Sequence, residues 1–363
     1  VASLYDLTER PGLIARLAGS RAFQSWAARI PGLSRIARAE GAAIFDLMQG
    51  FVRSQVLAAL VELRLLDALA QGPRRAADLA PGAGLAPEAM AMLLQAGAGI
   101  GLLARRGDSF RLTRRGAAFR AVPGLAGLVR HHAVLYRDLA DPVAFLRGQT
   151  DPDLARFWPY VFGAGAAADT ETAATYSRLM AETQDLVAED VLRLVDLSGA
   201  RRLMDVGGGT GAFLSAVSAA HPGLDLTLFD LPAVVARARL LPRLTVAPGS
   251  FRDDPLPQGA DTISLVRVLY DHADDTVAAL LARVHAALPP GGQLLVAEPM
   301  SGGARPDPST DVYFALYCRA MGTGRLRSGG EIGRLLAQAG FTAITPSRSL
   351  RPFVTAVVTA RRG

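Results

Sequence analysis

The chain has 363 residues, of which half are apolar and 20% charged, with a formal net charge of +6; that length suits two domains better than one core. A charged fraction below the roughly 25% usual for soluble domains leaves surplus apolar surface for a large core, a subunit interface, a greasy pocket or a membrane contact. All 39 basic residues are arginine and are spread along the whole chain, unlike the clustered charge of a nucleic-acid binder, and the single Cys318 excludes a disulfide framework or cysteine zinc site within one chain and fits a reducing cytoplasm.

Residues 1–40 read as an amphipathic helical arm. Arg16, Arg21, Arg29, Arg35 and Arg38 alternate there with Leu13, Ile14, Leu17, Phe23, Trp26, Ile30 and Leu33. Two roles are open: packing on a partner subunit, or lying as a basic amphipathic foot on an anionic membrane surface. Leu13–Ala18, interrupted by Arg16, is too short for the apolar segment of a signal peptide. No run of about 18 apolar residues predicts a bilayer span.

From Ala42 the apolar residues recur at helical spacing. Phe45, Met48, Val52, Val56, Leu60 and Leu63 share one face, and Ile44, Phe51 and Leu57 widen it, a breadth that predicts a helix buried on two sides. Helices near Ala76–Leu79 and Pro87–Ala96 follow. Leu102–Arg105 and Phe110–Leu112, separated by Arg106-Gly107-Asp108-Ser109, then read as a hairpin. Helix, helix, hairpin is a winged-helix outline. The would-be reading helix, Ala86–Gln95, holds no arginine, whereas base and phosphate contacts need donors and charge there. The outline therefore predicts a dimerisation module in 41–160 rather than a DNA reader.

Residues 130–195 read as helical, with a break around Thr150-Asp151-Pro152 and a domain boundary near residue 160. Beyond Leu197 short β-rich runs alternate with helical stretches: Arg202–Val206, Asp225–Phe229, Leu244–Ala247, Thr262–Val268, Leu294–Ala297, and weaker runs at Thr342–Thr345 and Phe353–Thr359. Such alternation predicts an α/β domain with a largely parallel sheet over 161–363.

The chemistry concentrates where the first of these strands ends. Leu203-Met204-Asp205-Val206 runs into Gly207-Gly208-Gly209-Thr210-Gly211 and a helix from about Ala212. Glycines there permit unusual dihedrals and close approach of a ligand, and open parallel sheets bind ligands at the carboxyl ends of their strands. The second strand ends at Phe229-Asp230, where a carboxylate suits the two hydroxyls of a ribose. Gly207, Gly209 and Ala212 also satisfy the loose dinucleotide pattern, with Asp230 about twenty residues on. Three features weigh against a dinucleotide: Asp205 beside the place of a cationic amino-acid moiety, Phe213 crowding the helix start, and Leu288-Pro289-Pro290-Gly291-Gly292-Gln293-Leu294-Leu295-Val296, an entry common in methyltransferases.

The chain resembles the small-molecule O-methyltransferases that pair a winged-helix dimerisation domain with a Rossmann-like catalytic domain. The resemblance covers about residues 40–363 and rests on Asp205–Gly211, Phe229-Asp230-Leu231-Pro232, Gly249-Ser250-Phe251, Leu269-Tyr270-Asp271-His272, Pro289–Gly292 and Ala297-Glu298-Pro299. Within that superfamily it is similar to the bacterial carotenoid hydroxyl methyltransferases of purple phototrophs, through Arg21–Arg29, Phe45–Val52 and Ala320–Arg325. The resemblance implies a mostly parallel seven-stranded sheet, S-adenosyl-L-methionine as cofactor, no metal, a homodimer, and a cytoplasmic enzyme with peripheral membrane contact. It implies that Asp205, Gly207, Gly208 and Gly209 meet the methionine part, that Asp230 and Leu231 hold the ribose, that Ser250 and Phe251 meet the adenine, and that Val266 and Arg267 line the cofactor. Most relatives carry an acid where Ser250 stands.

Plant relatives use a histidine base in a His-Asp-Trp motif, which here reads Tyr270-Asp271-His272. Tyrosine, with an ordinary pKa near 10, is a poor base. His272 is either a displaced base or a neighbour of the adenine. Glu298 matches a carboxylate that flanks the base, and its second partner is absent near Leu326-Arg327. Tyr270, His272 and Glu298 are thus the expected polar set, unless positioning alone carries catalysis. His131 and His132 lie on a helix that reaches the pocket or serves the core. His221 and His285 read as ordinary helix residues. Phe157, Trp158, Tyr160 and Phe162, with Val312, Tyr313, Phe314, Leu316, Tyr317 and Met321, are suited to an apolar acceptor channel. The expected acceptor is a hydrophobic small molecule, the tertiary hydroxyl of an acyclic carotenoid. An aromatic polyketide acceptor, a nicotinamide-dependent oxidoreductase and a cofactor-sensing winged-helix regulator remain the rivals.

Overall fold

The computed structural model describes residues 13–27, 29–157, 183–351 and 354–363. The chain divides into two compact units, 1–118 and 119–363, so the division falls well before residue 160, which itself lies outside the described residues.

The first unit opens with the short helices Leu13–Ala18 and Arg21–Ala27. Helices Pro31–Met48 and Gly50–Glu62 follow, bent by 56° at Gln49. The helix expected to be buried on two sides is therefore two helices, and its apolar stripe is largely uncovered. Phe45 is 59% and Phe51 73% exposed, while Leu60 is buried. Spacing specifies an apolar face, but not whether this chain supplies the cover. Strand β1 (Arg74–Arg75) leads into helices Ala76–Ala83 and Pro87–Gly99, and β2 (Leu103–Arg106) and β3 (Ser109–Leu112) then complete a three-stranded antiparallel sheet in the order β1-β3-β2. Gly107, with φ of +59°, turns the hairpin. Leu60, Met90, Leu94, Leu103 and Phe110 form its buried centre. This is the expected winged-helix outline.

The second unit begins with helices Leu125–Asp138 and Pro142–Leu146, the 3-10 turn Asp153–Phe157 and a helix over 183–194. Its sheet comprises β4 (Arg202–Val206), β5 (Asp225–Asp230), β6 (Leu244–Pro248), β7 (Thr262–Val266), β8 (Gln293–Glu298), β9 (Phe341–Arg351) and β10 (Thr355–Arg362). The order is β6-β5-β4-β7-β8-β10-β9, parallel except for β10, which runs antiparallel to both neighbours. Helices cover both faces, so central strands read as continuous apolar runs. Every residue of Thr262–Val266 is buried. Met204 and Val206 belong to one apolar core, and Leu203 with Leu226 and Leu228 to the other.

The order reverses between β4 and β7, and the crevice outside the strands' carboxyl ends at such a switch is the natural ligand site. The strand expected over Thr262–Val268 ends at Val266 because Arg267 takes φ of +60°, a left-handed backbone that breaks the ladder. Helix Gly329–Gln338 starts from a capping box, in which the Ser328 hydroxyl accepts from the Glu331 N–H at 3.3 Å and the Ser328 N–H donates to the Glu331 carboxylate at 2.9 Å.

Candidate active site

Strand β4 delivers Asp205 and Val206 to the crevice, and the loop after them reverses the chain within a few residues. Gly207 and Gly209 have φ of +70° and +61°, conformations that cost a side chain 1–2 kcal/mol or so. Gly208 is constrained by space: a Cβ there would stand 2.5 Å from the Asp205 carboxylate and 2.6 Å from Leu228. The loop is closed from β5. Asp230 accepts from the Gly209 N–H and the Leu231 N–H, both at 2.7 Å. Burial nevertheless pushes its carboxyl up to about 6, against the pull of those two donors. Asp205 accepts from the Ser264 hydroxyl at 2.6 Å. Its other oxygen is buried without a partner among the described residues, and burial drives the group up to about 7. A buried, half-satisfied carboxylate facing a glycine cradle is a site that favours a cationic ligand.

The cavity so formed measures about 1140 Å³ including its mouth. It brings together Asp205, Gly207, Gly208, Gly209, Asp230, Leu231, Ser250, Phe251, Val266, Arg267, Tyr270 and His272. Every cofactor-lining residue expected from the sequence is among them. Ser250 donates its hydroxyl to Asp253 at 2.9 Å and its N–H to Asp254 at 2.8 Å. Arg267 reaches Thr183 at 3.0 Å and Gln184 at 3.4 Å. Sequence reasoning missed Gln184, Arg252 and Val268 on the wall. No motif marks them, because they arrive from a distant helix and from loop positions.

The expected polar set separates on inspection. Tyr270 lines the cavity, but burial lifts its phenol well above the ordinary value of 10, so it stays a neutral hydroxyl. His272 meets Phe251 edge-on at 5.3 Å, and its Nδ1 accepts from the Arg252 guanidinium at 3.1 Å. Burial, then the charges of Arg252 and Arg327, depress it to about 3. Glu298 is pushed up to about 7 by burial, against the pull of Arg327, yet it is not on the cavity wall. One oxygen accepts from the Tyr270 N–H at 3.1 Å, and the other has no hydrogen-bond partner among the described residues. A general base needs both a suitable pKa and reach. Tyr270 and His272 line the cavity, and Glu298 lies behind its wall.

The position thought empty near Leu326-Arg327 holds the prop of this loop. Arg327 is wholly buried. It donates to the carbonyls of Leu269 and His272, each at 2.8 Å, and to the Asp274 carboxylate at 2.6 and 2.8 Å. Glu298 from below and Arg327 from beside thus fix the backbone of Leu269–His272. His131 and His132 belong to the second unit, bonded to Tyr317 and Tyr313 rather than entering from the first. Trp158, Tyr160 and Phe162 lie outside the described residues. Among the described residues no cluster suits a metal ion.

A seven-stranded sheet with a glycine cradle and a ribose-suited acid defines a nucleoside-cofactor transferase fold, and comparison with known proteins makes the class specific. Residues 136–342 match the O-methyltransferase domain, and residues 45–121 the O-methyltransferase dimerisation domain. The chain is similar to demethylspheroidene O-methyltransferase of Cereibacter sphaeroides, with 62% identity covering 96% of this chain and 94% of that one. It is 56% identical to the Rhodobacter capsulatus enzyme of the same name, over 98% and 90%. Among solved structures, human N-acetylserotonin methyltransferase in complex with SAM superposes with a TM-score of 0.74 and 28% identity, covering 89% and 98% of the two chains. The mitomycin 7-O-methyltransferase gives 0.76 and 26%, covering 91% and 100%. The chain belongs to the O-methyltransferase family: it is an S-adenosylmethionine-dependent enzyme whose dimerisation domain supports a homodimer.

Replacing Arg327 by Met would leave two buried carbonyls and the buried Glu298 without their cation. Removing one partner of such a buried set costs about 3–5 kcal/mol. Urea unfolding should show that loss, and a change below about 1 kcal/mol would contradict the role given to Arg327.

Proposed function

We propose that this enzyme methylates the tertiary 1-hydroxyl of an acyclic carotenoid. The observation that carries this reading is the 62% identity, over nearly the whole chain, to an enzyme named for demethylspheroidene. The aromatic reading draws on weaker likeness, such as 32% identity to a naphthoate 3-O-methyltransferase of Streptomyces sahachiroi, covering 86% of this chain.

The residues fit the methyl donor. The cradle of Gly207, Gly208 and Gly209 admits its methionine part, with the unpartnered oxygen of Asp205 available to the ammonium. Asp230, already fixed by two backbone donors, keeps lone pairs for the ribose hydroxyls. Leu231, Val266 and Arg267, on the same cavity wall, would flank the nucleoside, and Ser250, Phe251 and His272 would flank the adenine. The bound donor supplies an electrophilic methyl on sulfonium. The protein's task is to hold the acceptor oxygen in line with that carbon, at about 3 Å, in a cavity that excludes water.

We also propose that the amphipathic start meets an anionic membrane, the solvent of so apolar an acceptor. Trp26, Ile36, Ile44 and Leu47 are exposed on helices that carry Arg21, Arg35 and Arg38. Among the described residues no single helix is long and apolar enough to cross a bilayer, so the contact proposed is interfacial.

Three outcomes follow. Incubation with labelled methyl donor and a panel of hydroxycarotenoids and phenols should yield a carotenoid methyl ether; methylation of phenols alone defeats the assignment. Vesicles containing phosphatidylglycerol should sediment the enzyme and neutral vesicles should not, with Arg21, Arg35 and Arg38 changed together to Gln abolishing it. Equal recovery on both vesicles would sink the interfacial reading.

The third concerns pH. Asp230 and Asp205 are raised to about 6 and about 7 in the ligand-free fold. The cost of their buried charge is absent below their unfolded value and complete above the folded one. An ammonium and a diol favour the ionised forms, so S-adenosylhomocysteine should bind roughly tenfold tighter at about pH 8 than at about pH 5, releasing protons. Asp230→Asn should weaken binding and flatten that slope. Calorimetry in buffers of different ionisation enthalpy reads both, and a pH-independent affinity without proton release would refute the roles of these two acids.

A further inference from the structure

A second polar cluster stands beside the three motif residues. On helix Leu125–Asp138, His131 and His132 are consecutive. Opposite them run the π-helical turn Thr310–Phe314 and the helix Ala315–Ala320. His131 Nε2 lies 2.8 Å from the Tyr317 hydroxyl, and His132 Nε2 lies 2.8 Å from the Tyr313 hydroxyl.

Consecutive side chains on a helix diverge by about 100°, yet both imidazoles meet phenols from one opposing helix. Tyr313 and Tyr317, four residues apart, share one face, and their rings stack at 5.6 Å and 23°. Single π turns inside helices recur at functional sites. The cluster packs behind the wall of the cofactor cavity. Tyr270 lines that cavity and packs in the same core as Tyr317, Tyr313 and Cys318. Arg267, also on the cavity wall, acts electrostatically on the phenols of Tyr270, Tyr313 and Tyr317.

The protonation states suit proton acceptance. Burial keeps both phenols neutral, hence able to donate. Burial also lowers both histidines, His131 to about 4. A neutral imidazole offers one ring nitrogen as acceptor.

We propose that His131–Tyr317 and His132–Tyr313 form the polar end of the acceptor site, where a phenol docks the acceptor hydroxyl and an imidazole takes its proton. This rests on the hydroxyl acceptor put forward above. As the oxygen–methyl bond forms and the sulfur–methyl bond breaks, the hydroxyl proton passes to the phenol oxygen and the phenol's own proton to histidine Nε2. The products are a neutral ether, a neutral thioether and an imidazolium, which later yields its proton to water. A weakly basic imidazole suffices, because the methylated oxygen is an oxonium and gives up its proton readily.

Two variants test the set in the full-length enzyme, with S-adenosylhomocysteine affinity measured alongside. With that product bound, in mild detergent, the wild type should bind a hydroxylated polyene about tenfold more tightly than the same polyene lacking the hydroxyl. Tyr313→Phe with Tyr317→Phe should bind the two alike. His131→Gln with His132→Gln keeps a hydrogen-bonding group for each phenol but accepts no proton, so kcat should fall about a hundredfold with KM little changed. Phenol variants that keep the preference, or histidine variants that keep kcat, would overturn the proposal. So would variants that lose affinity for S-adenosylhomocysteine, since that marks a structural role; should the double changes not fold, Tyr313→Phe and His132→Gln alone carry the same comparison. If the wild type methylates only a phenol, the carotenoid reading fails, and the same comparisons with that phenol and its deoxy analogue still decide this one.

Discussion

The site depends on one junction: the Asp230 carboxylate, held by the N–H groups of Gly209 and Leu231. Gly209 belongs to the loop after β4, and Leu231 follows the end of β5. One side chain therefore ties together the two loops that shape the cofactor cavity. The left-handed turns at Gly207 and Gly209 and the missing Cβ at Gly208 leave room for this closure. Charge-assisted bonds of this kind are short and about twice as strong as neutral ones, and they aim the acid before any ligand arrives. The same burial that fixes Asp230 raises its pKa, so rigidity and ligand affinity are linked through one ionisation.

Low polarity around buried groups runs through the rest of the site. It raises the acids Asp205 and Glu298, lifts the phenols of Tyr270, Tyr313 and Tyr317, and lowers His131, His132 and His272. Every shift favours the neutral form, as desolvation requires. Arg327 is wholly buried beside the half-exposed Asp274 and near Glu298. It spends its donors on backbone carbonyls, so its function is architectural. A pocket biased toward neutrality suits an apolar alcohol, and it concentrates electrostatic attraction on the one cation it is built to hold.

How much of this was legible depended on range. The seven strands of the sheet were readable because β-rich runs with turn residues between them are local patterns. The glycine loop and Asp230 were readable because the sheet brings strand ends together regardless of what lies between. The break of β7 at Arg267 was not, since a left-handed arginine has no signature in the residue string. The setting of Glu298 and Arg327 was not legible for a related reason. It follows from three-dimensional neighbours, namely the Tyr270 N–H and the carbonyls of Leu269 and His272. The stripe through Phe45 and Phe51 shows a third limit. Periodicity reveals an apolar face, but its exposure in a single chain emerges only once the bend at Gln49 is seen.

These observations bear on why the histidine of the plant motif can be dispensed with. A base matters most when the nucleophile must lose its proton before bond formation. Here the donor carbon is already activated by sulfonium, and an alcohol oxygen attacks with its proton in place. The proton becomes acidic only as the new bond forms, so a weakly basic acceptor held beside the oxygen serves. Tyr270 in the motif position, with its phenol neutral and its backbone held by Glu298, then contributes shape and a donor rather than basicity. The burden of catalysis then falls on alignment of oxygen, methyl carbon and sulfur.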